Sequence, residues 1–294
     1  MFFFCRGAGD VLYWTGERED CDMVERHISC LDLDQIAASG QCFTWQRLGE
    51  GHYGIPARGS YVEAEQRGER LVFSCGETEF EALWADYFDL STDYEAIQAA
   101  IDPADGYLRA AARYGRGIRV LRQDLWEVLV SFLISQNNNI GRITRSVQGL
   151  CRRWGEERRA GSRTYWSFPS PAALAGASES DFAALGLGYR ARYLVRLTAE
   201  VEAAGYEDWA RRLRAAGSEE AMERLTGLYG VGKKVAQCVC LFGLHQVDAF
   251  PVDTHIRRVL EAHYPAGFDL ERYKGYGGIL QQYLFYYDLA VKSR

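Results

Sequence analysis

The hydrophobic period of this chain changes once, and that change limits its fold more than any other feature. From about residue 24 to 90 apolar and polar residues alternate in short runs, as in Tyr61-Val62-Glu63-Ala64-Glu65 and Leu71-Val72-Phe73-Ser74-Cys75. Ile28 and Gln41-Cys42-Phe43-Thr44-Trp45 are further strand candidates, while Gly49-Glu50-Gly51 and Arg67-Gly68-Glu69 have the composition of hairpin turns. Residues 31–36 read as a short helix. Short strands joined by tight turns predict an antiparallel sheet. After about residue 80 the period is helical, with helices predicted over 121–134, 143–154, 178–185, 192–203, 219–228 and 233–242. A sheet followed by a run of helices is an α+β chain. We expect an N-terminal antiparallel sheet domain over 23–107 and a mostly helical domain over 108–294. Residues 1–22 show neither period and are expected to be a poorly ordered extension.

Eight cysteines in 294 residues, without framework spacing, read as reduced thiols of an intracellular protein. No apolar run reaches membrane-spanning length, and Met1-Phe2-Phe3-Phe4 is too short for a signal-peptide core before Asp10. Secreted, collagenous, disordered and membrane classes are set aside. The net charge of −6 is unevenly spread. Residues 1–107 hold 21 acids against 7 arginines, 108–163 hold 12 arginines against 4 acids, and the rest hold 15 of each sign. A local basic region can hold a polyanion whatever the total charge, although arginine-rich solvated helix faces have the same composition.

The most informative stretch is Leu225-Thr226-Gly227-Leu228-Tyr229-Gly230-Val231-Gly232-Lys233-Lys234-Val235-Ala236-Gln237-Cys238. One helix ends, Gly230 and Gly232 turn the chain, and a second helix begins at the lysines. Such a hairpin can turn backbone N–H groups and a helix N-terminus toward a phosphate, or simply connect two helices. The chain has 30 Arg but only 4 Lys, two of them here. Lysine, unlike arginine, can shed its proton and attack carbon, although both lysines here would also complement phosphates. About 19 residues on, Pro251-Val252-Asp253-Thr254-His255 opens another helix, where Asp253 suits an N-cap. An amine and a carboxylate at that separation can meet at the mouth of one cleft.

Gly-Val-Gly-x-Lys followed by Pro-Val-Asp-x-His resembles the helix-hairpin-helix DNA glycosylases, in particular the 8-oxoguanine glycosylase/AP lyase branch. The resemblance covers roughly residues 25–290. It extends to Gly40-Gln41-Cys42-Phe43-Thr44-Trp45, to Ser135-Gln136-Asn137-Asn138-Asn139-Ile140-Gly141-Arg142-Ile143 and to Leu185-Gly186-Leu187-Gly188-Tyr189-Arg190-Ala191-Arg192. It implies a helix-hairpin-helix glycosylase domain after the sheet. The implied activity is bifunctional excision of 8-oxoguanine opposite cytosine in duplex DNA, with base flipping and β-elimination. Lys234 is implied as the Schiff-base nucleophile and Asp253 as the carboxylate facing the positive sugar. In the base pocket the Gly40 carbonyl would accept the N7 proton, Phe285 and Cys238 would cover the two base faces, and Gln281 would bond the Watson–Crick edge. Asn137 would fill the vacated stack, Tyr189 would wedge beside the opposite strand, and Arg142 and Arg190 would read the orphaned cytosine. Gly230, Gly232 and Lys233 would meet phosphate, as would His255 paired with Asp288.

The resemblance implies no catalytic metal and no cofactor. A monovalent cation on the backbone carbonyls of Thr226, Leu228 and Val231 is the one ion the family's hairpin can hold. Cys240 is the last cysteine, which excludes the C-terminal iron–sulfur loop of other branches, and no His/Cys set has zinc-ligand spacing. The expected partner is double-stranded DNA containing oxidised guanine, without membrane. The protein is expected to be a monomer, in cytoplasm or nucleoid if bacterial and in the nucleus if eukaryotic. Thr44, Gln136 and Gln237 depart from the family pattern, replacing a basic residue, a small residue and an acid. Two rival readings are an alkylated-base glycosylase without lyase activity and a non-catalytic hairpin module that only binds DNA phosphates.

Overall fold

A computed structural model describes residues 23–292; the extension expected over 1–22 lies outside the described residues. Strands β1 (Val24–His27), β2 (Gln46–Gly49), β3 (His52–Ala57), β4 (Ser60–Arg67) and β5 (Arg70–Phe73) form one antiparallel sheet in the order β1-β5-β4-β3-β2. Ile55 lies opposite Val62 and Ala64 opposite Phe73, and all four side chains are buried on one face. Period-two alternation would leave Glu63 in solvent, yet it is buried. His52 at 3.2 Å and Arg163 at 3.3 Å pair with its carboxylate from the other face.

Strand β3 escapes the period-two reading because it carries Gly54 and Pro56. Proline is tolerated there because the pairing of β2 with β3 ends at Gly54, so the side of the strand beyond it needs no N–H. Gln41–Trp45, expected as a strand, is instead a loop. The Gln41 amide holds it by donating to the Arg119 carbonyl at 2.9 Å and accepting from the Leu121 N–H at 2.9 Å. Side-chain bonds thus take the place of ladder bonds.

The helical part is built around Leu125–Ser135, whose eleven residues are all buried. Asp124 caps its N-terminus through the N–H groups of Trp126 and Glu127. Helices Ile140–Trp154, Arg190–Ala203 and Lys233–Phe242 pack around it. Ser218–Thr226 precedes the hairpin turn, while Thr254–His263 packs against Gly277–Lys292. No described helix is long and apolar enough to cross a membrane.

A second antiparallel hairpin, Glu157–Ala160 with Arg163–Trp166, lies within the helical half, where only helices are expected from the period. It docks on the sheet: Tyr165 stacks on Tyr61 at 4.6 Å, and Arg158 donates to the Gly59 carbonyl at 2.7 Å. Much of the basic stretch 108–163 is spent in this way. Arg119 bonds the carbonyls of Cys30 and Asp89 at 3.0 and 2.8 Å, and Arg122 bonds the Asp89 carboxylate at 2.9 Å. Charge composition alone therefore overstates the cationic surface, although Arg142 and Arg145 stay exposed.

Thr44 and Glu127 join the two halves inside the protein, hydroxyl to carboxyl at 2.8 Å. Burial pushes the Glu127 carboxyl from an ordinary 4.5 up to about 8, with the Thr44 hydrogen bond pulling the other way. The folded state therefore holds a proton that the unfolded chain releases above its own, lower pKa. This contribution to stability is complete below about pH 4.5 and is lost as pH rises through about 8. Glu127→Gln should match the parent in thermal unfolding near pH 5. Near pH 8.5 it should melt several degrees higher.

Candidate active site

The buried Leu125–Ser135 helix ends beside the lysine hairpin. Lys234 Nζ donates to Ser135 Oγ at 3.1 Å, and the Ser135 hydroxyl donates back to the Phe132 carbonyl at 2.7 Å. The ammonium lies 5.1 Å from the Phe132 ring centroid. Lys233, one residue earlier, is exposed. The geometry thus separates two adjacent lysines into a half-buried one and a solvent one. Gly230 has φ +83°, and a Cβ there would approach Tyr193 Cγ to 2.7 Å, so the turn requires glycine twice over. Gly232 caps the lysine helix without a side chain and leaves its N-terminus open to an anion.

Lys234 shares a cleft of about 980 Å³ with Asp253. Asp253 Oδ1 accepts the N–H groups of His255 and Ile256, both at 2.9 Å, while Oδ2 accepts from no described residue. Asp253 therefore caps its helix with one oxygen and keeps the other for the cleft. Gly40, Cys238, Gln281 and Phe285 line the same cleft. Burial pushes the Cys238 thiol up to about 11, despite the nearby Lys234 ammonium, so it is a neutral wall at physiological pH. Gly40 has φ +72°, and a Cβ there would meet Ile140 Cδ1 at 3.2 Å and Phe285 Cε1 at 3.4 Å. Gln281 is buried and donates to the Pro251 carbonyl at 3.1 Å.

His255 and Asp288 form the expected pair, Nδ1 to Oδ2 at 2.7 Å, with the imidazole edge-on to Phe285 at 5.5 Å. Arg258, which the sequence reading missed, also bonds Asp288. It neutralises a carboxylate whose other side-chain partner among the described residues is a histidine. Its signal was the i+3 spacing from His255.

The Asn137-Asn138-Asn139 run divides its work. Asn138 donates to the Ile134 carbonyl at 3.1 Å, closing the central helix, and Asn139 accepts the Arg142 N–H at 3.0 Å, opening the next. Asn137, at φ +46°, is exposed at the cleft. Tyr189 is 51% exposed, and Arg142 is also exposed. Arg190 differs: it is 8% exposed and donates to the carbonyls of Gln136, Asn137 and Leu187. It braces the asparagine loop and presents little of itself to solvent. Gln136 extends that brace by donating to the Gly230 carbonyl at 3.0 Å, tying the loop to the hairpin. Neither bracing role was visible in the sequence, because the partners are 54 and 94 positions away.

Among the described residues no group of three His, Cys, Asp or Glu side chains is arranged to hold a metal ion. Of the three hairpin carbonyls, that of Leu228 accepts the Val231 N–H at 3.1 Å and keeps a second lone pair.

A sheet domain, a helix-hairpin-helix and a cleft shared by a half-buried lysine and an aspartate define a base-excision glycosylase scaffold. Residues 23–129 match the N-terminal domain of 8-oxoguanine DNA glycosylase, and residues 130–271 match the HhH-GPD superfamily of base excision DNA repair proteins. The chain belongs to the 8-oxoguanine DNA glycosylase family. It is 34% identical over 237 residues to N-glycosylase/DNA lyase OGG1 of Arabidopsis thaliana, across 78% of this chain and 65% of that protein. It thus spans a little under two thirds of that relative. The structure of MBOgg1 in complex with a low-affinity DNA ligand superposes with a TM-score of 0.85 at 33% identity, covering 94% of this chain and 98% of that one. The Clostridium acetobutylicum 8-oxoguanine glycosylase/lyase, bound to double-stranded DNA with cytosine opposite the lesion, gives 0.82 at 31% identity, covering 92% and 98%.

Proposed function

We propose that this protein is a bifunctional DNA glycosylase/AP lyase that extrudes 8-oxoguanine from opposite cytosine in duplex DNA. The carrying observation is that Lys234, anchored on Ser135, shares one cleft with the open oxygen of Asp253. A base within the stack is out of reach, so the nucleotide must swing out before chemistry. Asn137 fills the space it leaves and Tyr189 wedges beside the other strand. Arg142 reads the orphaned cytosine. Arg190 joins it only by giving up carbonyls of its own loop, so its main service is to hold Asn137 in place. Gly230, Gly232, Lys233 and the His255–Asp288 pair take the phosphates.

The Lys234 amine, having lost its proton, forms a bond to C1′. The glycosidic bond breaks and the base leaves with the bonding electrons and a proton. Opening of the sugar ring, with a proton from water taken up at O4′, gives an iminium, whose positive charge faces Asp253. Loss of a C2′ proton then expels the 3′ phosphate, and water releases the lysine. In the pocket, the Gly40 carbonyl takes the N7 proton that guanine lacks, Phe285 and Cys238 bound the base, and Gln281 meets its Watson–Crick edge. Catalysis needs no metal or cofactor. A monovalent cation on the carbonyls of Thr226, Leu228 and Val231 would brace the turn. The protein acts as a monomer in the compartment that holds DNA.

Incubation with an 8-oxoguanine:cytosine duplex and borohydride tests this reading. A covalent adduct is expected, together with strand cleavage in the absence of reductant. Binding without an adduct would favour the phosphate-only module. Excision of alkylated bases without cleavage would favour the monofunctional enzyme.

A further inference from the structure

A second cavity, of about 350 Å³, lies where the β3–β4 turn meets the helical half, and it shares no lining residue with the catalytic cleft. Glu127 lines it and is 9% exposed. Thr44 donates to Oε1 at 2.8 Å, whereas Oε2 accepts from no described residue and is not sealed from solvent. Asp124 caps the same helix three residues earlier and lines the same cavity. Its Oδ1 takes the N–H groups of Trp126 and Glu127, and no basic side chain among the described residues pairs with it. A hydroxyl, not a cation, stands at residue 44, so nothing in the chain neutralises Glu127 either. The guanidinium groups on the lining are already engaged. Arg58 donates to Asp86 and to the Arg122 carbonyl at 2.7 and 2.6 Å. Arg158 donates to Glu156 and to the Gly59 carbonyl, both at 2.7 Å. Glu207 adds an exposed carboxylate, so the lining is short of positive charge. Phe168 and Tyr206, both half-buried, supply aromatic surface.

We infer that this cavity binds a small organic amine as its ammonium, with N–H groups on the Glu127 and Asp124 carboxylates and carbon against Phe168 and Tyr206. The volume is at the small end of ligand pockets. It is far larger than a bare ion needs, and among the described residues these acids are not grouped to hold a metal. Without a cation nearby, burial keeps the Glu127 carboxyl protonated up to about pH 8, and the Asp124 charge pushes the same way. The Cys42, Cys151 and Tyr87 groups close to it stay neutral, each raised by burial. An ammonium reverses that balance: it favours the ionised carboxylate, so binding expels the proton. Below about pH 8 affinity should therefore rise by about tenfold per pH unit, and above it level off.

The test is isothermal calorimetry of the full chain with 2-phenylethylamine, and with 2-phenylethanol as its uncharged counterpart. At pH 8 the amine should bind one to one with a Kd of about a millimolar or tighter, and the alcohol about tenfold more weakly or not at all. Near pH 7, titrations in buffers of different ionisation heat should show about one proton released per amine bound. Glu127→Gln keeps a partner for the Thr44 hydroxyl but has no charge to offer. It should weaken the amine by about tenfold or more at pH 8 and release no proton. Asp124→Asn, which keeps the helix cap, should also weaken binding and gives the comparison if Glu127→Gln does not fold. Thr44→Lys sets a tethered ammonium beside Glu127 and should abolish binding. An amine taken up by the catalytic cleft instead would be indifferent to all three changes. Equal binding of amine and alcohol, full binding retained by Glu127→Gln and Asp124→Asn, or no heat of binding up to about 10 mM amine overturns the inference.

Discussion

Lys234→Gln is expected to abolish borohydride capture and to slow base excision by about a thousandfold or more, while duplex binding and thermal stability change little. The expectation follows from how the fold separates neighbouring lysines. Lys234 is half-buried, with its Nζ on a serine hydroxyl presented by a wholly buried helix. Glutamine is polar enough to keep the contact with Ser135, so the helix junction should survive. It has no amine, so no carbon–nitrogen bond to the sugar can form. Lys233→Gln should give the opposite pattern: weaker duplex binding with a shallower salt dependence, and undiminished capture of bound substrate. Mass measurement of the reduced adduct and single-turnover rates would distinguish the two. Capture that persists in Lys234→Gln and disappears in Lys233→Gln would overturn the nucleophile assignment.

The parts of this architecture that were legible in the sequence are those encoded locally. The change of period marks sheet and helices because each element must bury one face, and period follows from backbone geometry. The hairpin was legible because two glycines and two lysines carry their signal within a few residues. What stayed hidden depends on partners far along the chain. Strand β3 is admitted despite Pro56 only because β2 stops short of it. Gln41–Trp45 is a loop because the Gln41 amide bonds backbone 78 and 80 positions away. Arg119 and Arg158 look like surface charge until the carbonyls they cap are located. The asparagine run shows both cases. Local sequence marks it as a polar loop, but only the helix ends on either side reveal why Asn138 and Asn139 are spent and Asn137 is free.

Asp253→Asn is expected to slow both excision and β-elimination by about 10²–10³-fold while leaving the melting temperature almost unchanged. The two oxygens of Asp253 do different work. Oδ1 holds the first N–H groups of the Thr254–His263 helix, and asparagine caps a helix about as well as aspartate, so its carbonyl can keep both bonds. Asp253 lines the cleft, and Oδ2 accepts from no described residue. Replacing it with NH2 removes the negative charge opposite the cationic sugar and turns a donor toward it. Asp253→Ala would also lose the cap, costing about 1 kcal/mol of stability in addition to the rate. Thermal unfolding read beside single-turnover kinetics separates the two roles. Should the Asp253→Asn variant work at the parent rate while Asp253→Ala loses rate and stability together, the aspartate would be a helix cap alone, and the charge facing the sugar would have to be sought on another residue of the cleft.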